Sequence, residues 1–293
     1  MTKYAKIVQN LLNPPATTTN HRQLPPTGKA GRNLPAAISV GVVLAGLVVL
    51  FLLYLPIGFV FFVIFAVILA IYEFASAVKN KSINLPMLPM ITGSVGMGIC
   101  AYILNPQAVL VAYFCALIVI ALWIFLEKHH ENYLETISVS VLGMTWISLL
   151  SSFVIMILNR PMGNYLVIIF ILMVIASDTG GYVFGVIFGK HPMSKKISPN
   201  KSWEGFIGSL ICGSVSSIFL LHYIGISYIN SALIAIVTTI VAVIGDLCES
   251  LIKRDLKIKD MGHILPGHGG VLDRVDAILI ASIPYITILF FIR

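Results

Sequence analysis

The charged residues of this 293-residue chain are concentrated in two segments, the first of which runs from 245 to 276. Asp246 and Asp273 stand near its two ends, each beside a long apolar run. Asp246, Glu249 and Ser250 are spaced i, i+3 and i+4, so they share one face of a helix. Carboxylate oxygens are ligands that Mg²⁺ takes in proteins, together with phosphate oxygens of a substrate. Asp246 and Asp273 are therefore candidate ligands of one hard cation.

Basic residues and glycines fill the interval between those two carboxylates. Gly267, Gly269 and Gly270 surround His268, shortly before the last apolar run. A glycine-rich backbone that leads into a helix N-terminus suits phosphate, because free N–H groups point outward and the helix dipole favours an anion. The alternative is that these charges only solvate helix ends and bind lipid headgroups. That alternative does not explain acidic residues at both flanks or glycines on either side of one histidine.

The second charged segment runs from 177 to 205 and combines an acidic residue with a basic loop. Asp178 stands inside an apolar run, and a carboxylate at membrane depth usually marks a site or a cavity. Gly181, Gly185 and Gly189 recur at every fourth position, which favours close helix packing. The loop that follows holds four lysines and short Ser-Pro and Lys-Ser elements, which suit contacts to phosphate.

The composition excludes a water-soluble globule. Hydrophobic residues make up 58% of the chain and charged residues only 11%, whereas a soluble domain carries about 25% charged residues. The outer surface must therefore face lipid. The four cysteines lie in or beside apolar segments without a CxxC pair, and we expect them to be packing residues.

Nine apolar segments are long enough to cross a bilayer, which takes about 20 helical residues. We therefore predict an all-α, polytopic membrane protein with about nine transmembrane helices. The approximate segments are 38–54, 57–76, 87–104, 108–126, 137–158, 165–189, 203–223, 228–248 and 271–292. Glu73, near the inner end of the second segment, is expected to lie at the membrane interface. The Pro-rich residues 1–37 are predicted to be a disordered cytoplasmic tail, and residues 38–293 a membrane catalytic domain.

The distribution of positive charge predicts the orientation in the cell membrane. With the N-terminus in the cytoplasm, all of the 19 Lys and Arg residues except Arg160 and Arg293 lie on the inner side. Cytoplasmic loops carry an excess of Lys and Arg. Loops 190–202 and 249–270 are therefore expected to face the cytoplasm, and nine spans place the C-terminus outside. An active site is expected on the cytoplasmic face of the plasma membrane.

Both charged segments resemble those of the phosphatidate cytidylyltransferase family, whose members are also called CDP-diacylglycerol synthases. The C-terminal signature of that family is matched at every fixed position, by Ser250, Lys253-Arg254, Lys259-Asp260, Gly262, Pro266, His268-Gly269-Gly270 and Asp273-Arg274-Val275-Asp276. Two upstream stretches, 178–182 and 198–205, are also similar to the family, with Ser202 in place of a more usual threonine. The resemblance covers about two-fifths of the chain, at its C-terminal end.

The resemblance implies that CTP and phosphatidic acid are converted to CDP-diacylglycerol and pyrophosphate in phospholipid biosynthesis. It also implies Mg²⁺ bound by Asp246 and Asp273, with a second cation for which K⁺ is a candidate. The implied catalytic residues are Asp246, Asp273, Lys253, Arg254 and Arg274. The implied substrate-binding residues are Ser198, Lys201, Ser202, Lys259, Asp260, His268, Gly269 and Gly270. Residues of second rank are Asp178, Glu204 and Asp276.

Three other functions compete with this one. A CTP-using polyprenol kinase would transfer the γ-phosphate to an alcohol, and the intact signature argues against it. An ion-coupled transporter would use Asp178 and Asp246, but the sequence has no visible inverted repeat of the kind that transporters often show. A CDP-alcohol phosphotransferase lacks support because its Asp-Gly-x-x-Ala-Arg signature is absent.

The expected partners are CTP, phosphatidic acid and the lipid bilayer. Nucleic acid is not expected, because the net charge of +7 includes no long basic run with interleaved aromatic residues. The sequence leaves a homodimer open.

Overall fold

The computed structural model describes residues 13–14, 34–127, 132–194, 197–265 and 269–292. Helices make up most of these ranges. In chain order they are α1 (Leu34–Tyr54), α2 (Pro56–Val78), α3 (Met87–Ile103), α4 (Pro106–Leu126), α5 (Tyr133–Gly143), α6 (Leu150–Ile157), α7 (Gly163–Phe188), α8 (Trp203–Tyr223), α9 (Tyr228–Asp255) and α10 (Leu272–Phe291). A π-helical segment, Met144–Leu149, joins α5 to α6, and a 3₁₀ turn, Lys79–Lys81, follows α2.

The predicted all-α, polytopic architecture is confirmed. Each of the nine apolar segments coincides with one helix, except that 137–158 coincides with α5, the π-helical segment and α6 together. Among the described residues, seven helices are long and apolar enough to cross a membrane, and two apolar helical stretches, Gly41–Tyr54 and Met87–Ile103, are shorter. The four cysteines are free thiols; three are partly buried and Cys115 is exposed.

Two of the described helices begin at a proline. Pro56 opens α2 directly after Leu55, and Pro106 opens α4. Proline suits the first helical position, because its missing N–H would have no partner there and its φ angle is already helical. At α4 the Asn105 side chain adds a cap by accepting the Ala108 N–H at 2.9 Å.

The chain divides into two compact units. Unit one comprises Met1–Ser152 and Asp255–Arg274, and unit two comprises Phe153–Arg254 and Val275–Arg293. Unit one thus contains α1 to α5 and the segment that follows α9. Unit two contains α7, α8, α9 up to Arg254 and most of α10.

The core of unit one consists of apolar side chains from α2 to α5 and the π-helical segment. Phe74, Met90 and Met144 are fully buried, and Phe74 meets Trp146 edge to face, with ring centroids 6.3 Å apart. The polar pair Ser94 and Ser148 is also buried, and the two hydroxyls lie 2.7 Å from each other. Their mutual hydrogen bond removes the cost of burying two hydroxyl groups.

In unit two, α7 and α8 pack through glycine. An added Cβ at Gly208 would lie 2.4 Å from the Phe184 Cβ and 2.8 Å from the Gly180 carbonyl oxygen. At Gly181 it would lie 2.4 Å from the Ser209 hydroxyl. Small residues let helix backbones approach closely in membranes, so the helix-packing interpretation of Gly181 is confirmed.

A two-stranded hairpin connects α7 to α8. Strands β1 (Pro192–Ser194) and β2 (Ser198–Ser202) pair antiparallel. The sequence predicted only a basic loop here. Lys, Pro, Ser and Asn dominate the stretch, and Pro, Asn and Lys are depleted in strands, so its local composition gives no strand signal.

The N-terminal tail is described only at two positions outside the helices. Lys79 Nζ donates to the side-chain oxygen of Asn13 and, at 3.0 Å, to the carbonyl oxygen of Pro14. The rest of the stretch before α1, for which we predicted disorder, lies outside the described residues.

Candidate active site

Three carboxylates of unit two form what we call the acidic cluster: Asp246, Glu249 and Asp276. Asp246 and Glu249 lie one turn apart on α9, and Asp276 lies in the second turn of α10. One oxygen of each lies within 4.8 Å of one oxygen of each of the others. Glu249 is 1% exposed and Asp276 is 7% exposed. Like charges this close and this buried require neutralisation by protons or cations.

Two lysines of unit two offset part of this negative charge. Lys201 Nζ lies 2.5 Å from Asp246 Oδ2, and Lys253 Nζ donates to Glu249 Oε2 one turn further along α9. Glu249 Oε1 is buried and has no hydrogen-bond partner among the described residues. A set of carboxylate oxygens with one unsatisfied buried member fits a hard cation such as Mg²⁺.

The hairpin between α7 and α8 places Lys201 beside the acidic cluster. Ser202, the next residue, caps α8 by accepting the Gly205 N–H at 3.1 Å. Glu204 accepts the backbone N–H groups of Lys190 and His191, both at 3.2 Å, and its other oxygen lies 2.6 Å from His191 Nδ1. Ser202 and Glu204 therefore fix the base of the hairpin.

The turn of the same hairpin is held from α9. Arg254 Nε donates to the Ile197 carbonyl oxygen at 3.1 Å. The contacts at the base and at the turn thus hold both ends of the strand that carries Lys201.

Unit one contains the glycine-rich part of the signature. Asp273, in the first turn of α10, accepts the N–H of Met261 at 2.9 Å and that of Gly270 at 2.9 Å. The segment doubles back through a bridge in which the Leu265 N–H donates to the Gly269 carbonyl oxygen at 3.0 Å. Gly269 has φ of +83°, a conformation that glycine adopts at no steric cost.

The predicted metal ligands lie in different environments. Asp246 of unit two belongs to the acidic cluster, whereas Asp273 of unit one accepts loop amides. Their joint binding of one cation stays a prediction.

The structure places the remaining predicted site residues as follows. Asp178 lies on α7 and Ser198 in β2, and the side chains of Asp178, Lys259 and Arg274 are exposed. Asp260 is partly buried near Gly269. His268 lies outside the described residues.

Two carboxylates in these clusters were not among the predicted site residues. Glu249 lies three residues after Asp246 on the same helix face, and this i, i+3 spacing could have identified it from the sequence. Glu73 of α2 was expected to be a structural residue at the membrane interface. The structure buries it inside the protein, and its depth in the membrane stays a prediction. Glu73 is 2% exposed and accepts the Leu272 N–H at 3.0 Å. No motif near Glu73 indicates a partner 199 residues away.

The structure combines apolar helices with clustered carboxylates, lysines and a glycine-rich loop. These features are typical of a membrane enzyme that acts on phosphorylated substrates. The cytidylyltransferase family model matches residues 35–292. The chain therefore belongs to the cytidylyltransferase family and is a nucleotidyltransferase.

Individual relatives agree with this assignment. The chain is 36% identical over 273 residues to the phosphatidate cytidylyltransferase of Mycobacterium leprae (strain TN), covering 88% of both chains. It is 34% identical over 282 residues to that of Mycobacterium bovis (strain ATCC BAA-935 / AF2122/97), covering 92% of both. The phosphatidate cytidylyltransferase of Staphylococcus haemolyticus (strain JCSC1435) is 42% identical over 134 residues, which are 45% of this chain and 51% of that one.

Proposed function

We propose that the protein transfers the cytidylyl group of CTP to phosphatidic acid, which gives CDP-diacylglycerol and pyrophosphate for phospholipid biosynthesis. The observation that carries the proposal is the acidic cluster with Lys201 and Lys253, set in a protein with seven described helices long and apolar enough to cross a membrane. One substrate is a lipid and the other a soluble triphosphate, so the reaction needs a site where a polar cluster meets the membrane surface.

The chemistry places limited demands on the protein. An ionised phosphate oxygen of phosphatidic acid attacks the α-phosphorus of CTP. The bond from that phosphorus to the oxygen that leads to the β-phosphorus breaks, and pyrophosphate leaves. Because the nucleophile is already ionised, no strong general base is required. Catalysis then consists of aligning two anions and neutralising the charge on their phosphates.

The basic residues supply part of that neutralisation. Lys201 and Lys253 stand at the acidic cluster, and Arg254, Lys259 and Arg274 are further candidates for phosphate contacts by resemblance to the family. The family resemblance also supports substrate-binding roles for Ser198, Asp260, Gly269 and Gly270.

The carboxylates would hold the metal. Asp246 is proposed to bind Mg²⁺ within the acidic cluster, and Asp273 is proposed as a ligand by the family resemblance. K⁺ is a candidate for a second cation. When bound, Mg²⁺ supplies positive charge that stabilises the reacting phosphate oxygens.

A direct assay tests the reaction. Purified protein in mixed micelles with phosphatidic acid and radiolabelled CTP is expected to form lipid-linked CMP, with pyrophosphate released one-to-one. The activity should require Mg²⁺, and ATP should not replace CTP. Release of CDP would instead favour a polyprenol-type kinase, and a folded protein that forms no lipid-linked CMP would refute the proposal.

The proposed orientation puts the N-terminus and the site in the cytoplasm and the C-terminus outside, in the plasma membrane. In a variant without native cysteines, Lys257→Cys should resist an impermeant thiol reagent in intact cells and react after permeabilisation. Arg293→Cys should react in intact cells. The expected difference follows from the excess of Lys and Arg on the inner side. Labelling of Lys257→Cys but not Arg293→Cys in intact cells would reverse the assigned orientation.

A further inference from the structure

Glu73 is a buried carboxylate in a helix that carries none of the signature residues. Its side chain lies near the end of α2 and is 2% exposed. A buried carboxylate is costly unless hydrogen bonds compensate for the lost water. The Leu272 N–H donates to Glu73 Oε2 at 3.0 Å, so the signature segment of the same unit compensates one of the two oxygens. Glu73 Oε1 is buried without a hydrogen-bond partner among the described residues.

The signature loop closes around this carboxylate. An added Cβ at Gly262 would lie 2.3 Å from Glu73 Oε1, and one at Gly270 would lie 2.7 Å from Glu73 Oε2. Gly262 precedes the Leu265–Gly269 bridge and Gly270 follows it. Both arms of the loop therefore rest against Glu73, and a Cβ at either position would displace the Glu73 carboxylate or the loop.

Asp273 lies against the same loop backbone. It accepts the N–H groups of Met261 and Gly270, and an added Cβ at Gly270 would lie 2.8 Å from Asp273 Oδ2. Gly270 is thus enclosed by two carboxylates. Asp273 thus contacts the loop backbone, and the same loop backbone contacts Glu73.

We propose that Glu73 is a positioning residue for the nucleotidyl transfer, which acts by holding the loop segments 261–265 and 269–272 and, through them, the carboxylate of Asp273. The link to turnover rests on the proposed function, because it takes Asp273 as a ligand of the catalytic cation. The contact between Glu73 and the loop is independent of the proposed function. The proposal brings into the site a residue of the N-terminal half, where the family resemblance assigned none.

The first experiment measures the loop without using activity. Hydrogen exchange by mass spectrometry is followed for peptides within 256–274 in the full-length protein in detergent. Glu73→Ala removes the acceptor, and Glu73→Asp keeps the charge but withdraws it from the Leu272 N–H by one methylene. Both are expected to speed exchange of these peptides at least about tenfold. Unchanged exchange in a folded Glu73→Asp protein would overturn the proposal. This variant alone decides the question if Glu73→Ala does not fold.

Ile71→Ala is the matched control. Ile71 is fully buried in the same helix, two residues away, so its truncation lowers stability through lost packing. Exchange of the peptides within 256–274 should remain as in the unaltered protein. Equal acceleration by Ile71→Ala and Glu73→Asp would show a general loss of stability and would overturn the positioning role.

The second experiment measures the Mg²⁺ concentration that gives half-maximal activity. Altering a residue that orients a metal ligand typically lowers metal affinity or activity about 10- to 100-fold. Glu73→Ala and Glu73→Asp should therefore raise the Mg²⁺ concentration for half-maximal activity by that factor. Glu73→Gln keeps the length and one acceptor oxygen and should restore most of the loss. Ile71→Ala should leave it within about twofold. No rise in any folded Glu73 variant would overturn the positioning role.

The two experiments separate the two proposals. If the unaltered protein forms no CDP-diacylglycerol, the proposed function fails, and hydrogen exchange still decides whether Glu73 holds the loop. If the unaltered protein is active and the exchange is unchanged in the Glu73 variants, only the role of Glu73 fails.

Discussion

Asp246→Asn and Asp273→Asn are each expected to lower turnover at least about 10²-fold, comparable to the loss of a major electrostatic stabiliser. Under the proposed function, each change would remove one anionic oxygen ligand of Mg²⁺ with little change in volume, and the charge on the reacting phosphates would lose its compensation. Turnover at saturating CTP and ordinary Mg²⁺, in mixed micelles, measures the effect. If both carboxylates serve one cation, the double variant should lose little more, because residues that act as a unit are not additive.

Glu127→Gln is the control for this pair. Glu127 is an exposed acidic residue just after α4, far in sequence from both charged segments, and its change should be nearly silent. Near-normal turnover in a folded Asp246→Asn or Asp273→Asn protein would show that the altered carboxylate is not a metal ligand.

Gly270→Ala is expected to reduce turnover by at least about 10²-fold, the cost of misplacing a reacting group by about 1 Å. Its Cβ would lie 2.7 Å from Glu73 Oε2, 2.8 Å from Asp273 Oδ2 and 2.8 Å from the Gly262 nitrogen. The first two atoms are carboxylate oxygens that accept loop amides and the third is loop backbone, so the methyl group must displace either these carboxylates or the loop itself. The measurement is the same turnover assay, with size-exclusion chromatography to establish folding.

Gly96→Ala is the matched control within unit one. Gly96 lies in α3, and an added Cβ there would meet nothing within 4 Å. Alanine is favoured over glycine in a helix interior by about 1 kcal/mol, so this variant should keep its activity and be at least as stable. A folded Gly270→Ala protein as active as Gly96→Ala would show that the tight packing around Gly270 does not matter for turnover.

The sequence predicted the helices well, because a helix that crosses a bilayer needs about 20 consecutive apolar residues, and such runs are easy to recognise. The segment 108–126 and its opening Pro106 show this most simply, since the helix runs from Pro106 to Leu126. The hairpin 192–202 escaped prediction, because its strands are built from residues without strand preference and exist only in their tertiary setting.

The site was predictable to the extent that its residues are neighbours in the chain. The i, i+3 spacing placed Asp246 and Glu249 together, but the arrival of Asp276 depends on the packing of α10 against α9. Glu73 could not be assigned, because its burial is caused by a loop 199 residues away. The local sequence predicts where α2 ends, but it does not predict which distant segment packs against that end.

The glycine contacts between α7 and α8 also constrain how a lipid substrate could enter. Over Gly180–Gly185 the two helices touch through carbonyl oxygens and Cα atoms, with Gly181 O 2.8 Å from an added Cβ at Gly205 and Gly180 O 2.8 Å from one at Gly208. An acyl chain is far wider than such a gap. The fatty acyl tails of a lipid bound at the acidic cluster would therefore leave unit two along a face other than the α7–α8 contact at Gly180–Gly185.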